Sequence, residues 1–368
     1  MKNRKCLFIS RELLKFTGGG VITKRNLQGC KDIFSNDCVI HYTLQEQTKF
    51  KTLMANLNGY MGGLNPVDCK NIFHIIKSQE VSHVFIDSSI LGRLANMIRQ
   101  KFEELRIITF FHNVEYLYFK ELRRVTGKKQ HILSILAAKY NEKAAVKYSD
   151  VIATLNTRDS NFLFQIYGRK ADENLHTSFD DRFLETNVIS TPKNGPRIIL
   201  FIGAYFFANI EGVRWFCKEV MPELKNYMFY IVGKDFEVLQ QELNSTNVNV
   251  VGSVDDLDEY YYNADIIVSP IFSGGGMKTK IAEALMFGKT IVGTTEAFEG
   301  YELDFSKVGK LCNTKAEYVS YFKDLVLPPN KFNHYSRTVF LNNYQYSYFV
   351  NKLKNLFDPV NTDINHIS

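Results

Sequence analysis

Short apolar runs alternate with stretches of helical period along almost the whole chain, and this alternation constrains the fold most. Cys6–Ser10, Asp37–Tyr42, Val81–Asp87, Arg106–Phe111 and Asp150–Leu155 read as strands, each followed by a helical stretch. That rhythm builds a parallel sheet with helices on both faces. It pauses in the polar segment Gly168–Gly195 and the turn-rich Thr191–Pro196. It resumes with Arg197–Gly203, Tyr227–Val232, Val248–Val251, Ile266–Ser269 and Thr290–Gly293. The expected fold class is therefore α/β, with two Rossmann-like doubly wound domains facing a central cleft. A length of 368 residues suits two such domains. The expected boundaries are 1–184 for the first domain, 185–196 for a link and 197–330 for the second. Residues 331–368 would hold a C-terminal helix, about Phe332–Phe357, packing back toward the first domain through Phe340, Leu341, Tyr344, Tyr348 and Leu353. In doubly wound sheets ligands bind at the carboxyl ends of the strands, so residues just after strands are the ones to inspect.

Composition removes several function classes. Hydrophobic residues make up 45% and charged residues 23%, ordinary values for a globular chain. The 45 basic and 39 acidic residues leave a net charge of +6, too mild a balance to expect a nucleic-acid partner. The longest apolar run, Ile198–Ala208, is far short of the ~18 residues of a spanning helix. Lys2, Arg4 and Lys5 are followed by only Cys6–Ile9 as an apolar stretch, whereas a signal peptide needs about 7–15 such residues. The expected compartment is the cytoplasm. The six cysteines form no CxxC pair and read as reduced thiols.

Four segments could carry chemistry. Ser269-Pro-Ile-Phe-Ser-Gly-Gly-Gly-Met-Lys-Thr-Lys-Ile-Ala-Glu-Ala-Leu285 reads as strand end, glycine loop, then helix. Gly274, Gly275 and Gly276 let a backbone approach a ligand closely, and the following helix start favours phosphate. Lys278 and Lys280 add charge, and Glu283 follows Lys280 by three positions on the same helix side. The segment reads as a nucleotide site or as a glycine turn before a solvated helix. His112, in Thr109-Phe-Phe-His-Asn-Val-Glu115, ends a strand and is either a sugar or acceptor contact or a structural histidine. Gly18, Gly19 and Gly20 follow the first strand without GxGxxG spacing and read as a loop near an acceptor or as a plain turn. Asp256-Leu-Asp258 has the DxD form of a metal chelator, but its place before a helix favours a cap. The basic stretch Lys120–Lys147 reads as a membrane-surface helix or as an ordinary amphipathic one.

Together these motifs resemble the retaining glycosyltransferases of family 4, which have the GT-B architecture. Phe201-Ile-Gly-Ala204, Asn209-Ile-Glu-Gly-Val-Arg-Trp-Phe216 and Val220-Met-Pro222 are similar to the opening strand and helix of that family's donor domain. Val250-Val-Gly-Ser-Val254 resembles the strand lining the base pocket, and Pro270 through Glu283, Ala284, Gly288, Thr294 and Glu296–Gly300 resemble the signature region. His112-Asn113-Val114-Glu115 and Glu142–Asp150 are similar to the acceptor side. Many members carry two signature glutamates. Here Glu283 matches the second, while Gly275 stands at the first, as in the branch with a Gly-x-Gly loop. The segment Ala204–Ile210 also lacks the basic residues other members place there, which shifts the phosphate charge onto Lys278 and Lys280.

The resemblance implies a hexosyltransferase that moves a sugar from a nucleotide diphosphate sugar to a hydroxyl with retention, in bacterial surface polysaccharide or glycoconjugate assembly. The implied catalytic residues are His112, Lys280 and Glu283. Donor contacts would come from Gly274, Gly275, Gly276, Lys278, Lys280, Glu283, Gly252 and Val254. The acceptor side would use Gly18, Gly19, Gly20, Asn113 and Glu115. No cofactor and no metal is implied. The implied partners are the donor and a glycan or lipid-linked glycan, with peripheral contact at the cytoplasmic face of the inner membrane. Two alternatives remain open from the residues: a GT-B sugar-nucleotide epimerase, and a nucleotide-sugar-binding subunit with degraded catalysis.

Overall fold

The computed structural model describes residues 4–11, 18–129, 131–187, 195–273, 277–326 and 329–358. The chain forms two compact units: residues 1–176 with 349–368, and residues 177–348. The division falls after His176 and again after Tyr348, so the segment 185–196 lies inside the second unit.

The first unit holds β1 (Cys6–Arg11), β2 (Val39–Leu44), β3 (His83–Ile86), β4 (Arg106–Phe111), β5 (Val151–Thr154) and β6 (Glu173–Asn174). They form one parallel sheet in the order β2-β1-β3-β4-β5-β6. The second unit holds β7 (Arg197–Ile202), β8 (Tyr227–Val232), β9 (Val248–Gly252), β10 (Ile266–Ser269), β11 (Thr290–Gly293) and β12 (Gly309–Leu311). Their order is β12-β11-β10-β7-β8-β9, again all parallel. Every residue of β3, β5, β10 and β11 is buried, as expected of strands covered by helices on both faces. Two of the four edge strands, β6 and β12, escape a pattern reading because they are two and three residues long and not fully buried. Each sheet reverses its winding once, beside β1/β3 in the first unit and beside β7/β10 in the second, and such switch points are where doubly wound sheets bind ligands.

The C-terminal segment is two helices, His334–Asn343 and Tyr346–Phe357, where the periodicity predicts one. The break has a partner. Phe179 N–H donates to the Tyr344 carbonyl at 2.8 Å, and Tyr346 N–H donates to the Phe179 carbonyl at 2.9 Å, so the backbone between the helices pairs outward. The first helix packs on the second unit, with the Ser336 hydroxyl donating to the Lys289 carbonyl at 2.8 Å. The second packs on the first unit from Phe349 onward. Arg25 lies 4.2 Å over the Phe349 ring, and Phe357 meets Phe34 edge-on at 4.8 Å. All six cysteines are free thiols. Among the described residues no helix is long and apolar enough to cross a membrane.

Candidate functional site

In the second unit the carboxyl ends of three neighbouring strands run into glycines: Gly203 after β7, Gly233 after β8, and Gly252 at the end of β9. The backbones touch there. A Cβ on Gly233 would overlap the Gly203 carbonyl, and Gly233 takes a positive φ of 143°. Removing side chains opens room at the switch point, and Lys280 enters it from the helix Thr279–Met286. Its Nζ donates to Asn209 Oδ1 at 2.8 Å and sits 4.0 Å over the Phe201 ring. Asn209 is held in turn by its Nδ2, which donates to the Ala204 carbonyl at 2.8 Å. Lys280 is only 8% exposed and makes no ion pair among the described residues. Burial, with Lys278 adding repulsion, lowers its pKa to about 7. A buried ammonium with one neutral partner is prepared to receive an anion.

Glu283, one turn further along the helix, faces a different neighbourhood. Arg182 Nη2 donates to it at 3.1 Å, and Tyr261 O–H reaches it at 3.5 Å. Burial raises its pKa against the opposing pull of Arg182. Arg182 also bonds Asp258 at 3.0 Å, so one guanidinium ties Glu283 to the DxD segment. Asp256 Oδ1 accepts the Asp258 N–H at 2.8 Å just before the helix Asp258–Asn263, but the N-cap residue is Leu257 and no side chain caps the helix, so the expected carboxylate cap is a local turn instead. Lys278 is committed elsewhere: its Nζ pairs with Glu296 at 2.7 Å and lies 3.8 Å from Glu299. Of the two lysines expected to share the phosphate charge, Lys278 is thus ion-paired, whereas Lys280 makes no ion pair among the described residues. Val254 is half-buried against the core that contains Tyr261 and Phe287. Gly274, Gly275 and Gly276 lie outside the described residues.

In the first unit the carboxyl ends of β3 and β4 bring Asp87 and His112 together. His112 Nε2 is 3.1 Å from Asp87 Oδ2 and 3.1 Å from the Asp87 carbonyl oxygen. Asn113 is exposed. Glu115 opens the helix Glu115–Thr126, and its N–H donates to Glu142 Oε1 at 2.7 Å. Glu142 is fully buried, and burial pushes its pKa up to about 7. It also accepts from Tyr167 O–H at 2.8 Å, so this carboxylate caps the helix Glu115–Thr126. The expected loop at Gly18–Gly20 is instead the first turn of the helix Gly18–Phe34. Glycine is a poor helix former, but Thr23 and Asn26, one turn on, both hydrogen-bond Asp87 and anchor the helix there.

Asp87, Asn209 and Arg182 are the residues that motif reading misses. Asp87 carried a signal: a carboxylate placed immediately after an apolar strand run. Asn209 lies in a segment matched to the donor domain but nothing there gave it a role, and Arg182 carried no signal, because their partners are 71 and 101 positions away.

Residues 196–314 match the family model described as "Glycosyl transferases group 1". Among solved structures, the chain is similar to Anabaena Alr3699/HepE in complex with UDP, at 10% identity and a TM-score of 0.64 over 97% of this chain and 100% of that one. It is also similar to the apo form of the lipopolysaccharide outer core galactosyltransferase WaaB, at 12% identity and a TM-score of 0.60 over 96% and 99%. At such identities the likeness is one of fold. A curated relative, an "uncharacterized 44.6 kDa protein in cps region" of Klebsiella pneumoniae, is 24% identical over 221 residues, 51% of each chain. The chain thus matches about half the length of that relative. The chain thus has the two-domain α/β fold of these structures, and its residues 196–314 match the glycosyl transferases group 1 model.

Proposed function

We propose that the protein is a retaining glycosyltransferase of family 4 that moves a sugar from a nucleotide diphosphate sugar to a hydroxyl acceptor. The observation that carries this reading is Lys280: a buried ammonium without a counter-ion at the switch point of the second sheet, held by one asparagine. The leaving diphosphate gathers negative charge as the glycosidic bond breaks, and a preplaced, desolvated cation stabilises that charge most in the transition state. Glu283 accepts hydrogen bonds from the ribose hydroxyls, with Arg182 fixing its carboxylate. His112 orients the sugar or the acceptor. The leaving phosphate takes the acceptor proton on the same face, which gives retention. The reaction needs no divalent metal: Asp256 is engaged by the Asp258 N–H, and Asp258 by Arg182. Anabaena HepE was solved with UDP and with UDP-glucose, which supports a nucleotide-sugar donor.

The setting we propose is assembly of a bacterial surface polysaccharide, with a glycan or lipid-linked glycan acceptor at the cytoplasmic face of the inner membrane. The helices Lys49–Leu57 and His131–Tyr148 pack together in the first unit and expose Leu53, Met54, Leu57, Leu136 and Tyr140. Lys139, Lys143 and Lys147 are exposed on the second of these, whereas its one acid, Glu142, is buried. Apolar side chains flanked by lysines suit an anionic bilayer surface. Co-sedimentation with phosphatidylglycerol vesicles but not phosphatidylcholine vesicles, lost in Leu136→Glu, is the expected result. Equal recovery from both would remove the membrane setting.

A thermal-shift panel of UDP-, GDP-, ADP- and CMP-sugars tests the main reading. A donor at 100 times its dissociation constant stabilises by about 2.7 kcal/mol. Product anomers from the best donor, read by NMR, decide retention. No shift with any donor would sink the assignment.

A further inference from the structure

The His112 ring is hydrogen-bonded through one nitrogen and buried without a partner at the other. A backbone carbonyl has no proton to give, so the Nε2 that faces the Asp87 carbonyl at 3.1 Å is the protonated nitrogen. The carboxylate behind it is fixed. Asp87 is buried, its Oδ1 accepts from Asn26 Nδ2 at 2.7 Å, and its Oδ2 accepts from the Thr23 hydroxyl. Its N–H donates to the Ile9 carbonyl at 2.8 Å, so the backbone is tied to β1 as well. Phe110 meets the imidazole edge-on at 4.9 Å. The other nitrogen, Nδ1, is buried and has no hydrogen-bond partner among the described residues. In a neutral ring protonated at Nε2, Nδ1 holds the lone pair. Buried acceptors are normally satisfied, so one without a donor asks for an explanation.

We propose that Asp87 is a positioning residue. It locks His112 as the Nε2–H tautomer and so reserves Nδ1 as the acceptor for a carbohydrate hydroxyl. The ligand part rests on the glycosyltransferase reading; the tautomer does not. The glycines at 18–20 gain a role through the same chain of contacts. They start the helix that carries Thr23 and Asn26, which hold Asp87, which holds His112.

The test is NMR of the full chain labelled with 15N-histidine, with the His112 signals assigned from their loss in His112→Gln. At a pH where the ring is neutral, the wild type should show the Nε2–H pattern. Asp87→Asn removes the carboxylate but keeps the backbone carbonyl at Nε2, so the Nδ1–H share of the ring should rise measurably without the ring switching fully. Turnover with the best donor of the thermal-shift panel should fall at least tenfold in that variant, with the donor KM within about twofold. An Nδ1–H ring in the wild type, an unchanged tautomer balance in Asp87→Asn, or a shifted balance with unchanged turnover would each overturn the proposal. The first of these needs no variant to fold. A wild type that transfers no sugar counts against the glycosyltransferase reading alone, since the tautomer is still read directly.

Discussion

Lys280 and Asn209 meet at 2.8 Å, and that contact defines the electrostatics of the second unit's strand ends. The asparagine oxygen solvates the ammonium without neutralising it. A carboxylate there would cancel the charge, and open water would screen it. The arrangement keeps a cation under strain of desolvation until an anion arrives.

That strain predicts an inverse relation between stability and function. Burial depresses the Lys280 pKa to about 7, far below its unfolded value. Between pH 7 and about 10.5 the unfolded chain therefore holds a proton that the folded chain has released, so this lysine makes stability rise with pH across that window. Lys280→Met should melt above the wild type at pH 7, and the gap should narrow toward pH 10. The same variant should lose about 10- to 150-fold in transfer, the ~1.5–3 kcal/mol of a charge-assisted hydrogen bond, more in kcat than in donor affinity. Melting curves at three pH values and steady-state kinetics check both halves.

Nucleotide binding should itself depend on pH. The ammonium is the binding form, and it is lost as pH rises through about 7 in the free protein. Affinity for the nucleotide should weaken from pH 6.5 to 8.5, with proton uptake on binding. Calorimetry in two buffers of different ionisation enthalpy reads that uptake; none at pH 7.5 would exclude Lys280 as the diphosphate contact.

Glu283→Ala should weaken nucleotide and sugar donor alike and raise KM more than it lowers kcat, because ribose contacts do not change during transfer. Loss of its ion pair with Arg182, a residue 41% exposed at the side chain, should cost less than about 1 kcal/mol of stability. Wild-type nucleotide affinity in this variant would show the ribose assignment to be wrong.

Activity should survive chelator, and Asp258→Asn should keep most of its turnover. Both rest on Asp258 being the partner of Arg182 rather than a metal ligand. Strict dependence on a divalent ion, restored by adding it back, is the contrary result.

Gly29→Ala should destabilise the first unit by about 1–3 kcal/mol. An added Cβ would stand 2.8 Å from both Leu353 Cδ2 and Phe349 Cε1, the face the last helix presents. Urea unfolding followed by far-UV circular dichroism measures the loss, and an unchanged midpoint would mean the helix shifts freely.

The sheets were legible because a strand buried on both faces is mostly apolar, so β3, β5, β10 and β11 stand out as short apolar runs with a polar residue only at an end, His83, Thr154, Ser269 and Thr290. The edge strands β6 and β12 were not, since short, partly exposed segments need no such run. The same limit hid the break at Tyr344. Helical period continues through it, and only pairing with Phe179, more than 160 residues earlier, ends the first helix.

The sequence by itself determined the class of fold and the positions where chemistry could sit, because strand burial and strand-to-loop transitions are local properties of composition and spacing. Lys280, Glu283 and His112 could be named on that basis. Their states were decided only by tertiary structure. Lys280 is uncompensated and Lys278 is neutralised because of what folding sets beside each: Asn209 against Glu296. Glu142 became a cap, and Asp87 became the group that sets the histidine's proton, through contacts 27 and 25 positions apart. Charge and hydrogen bonding act over a few ångströms, and chain distance gives no measure of that separation.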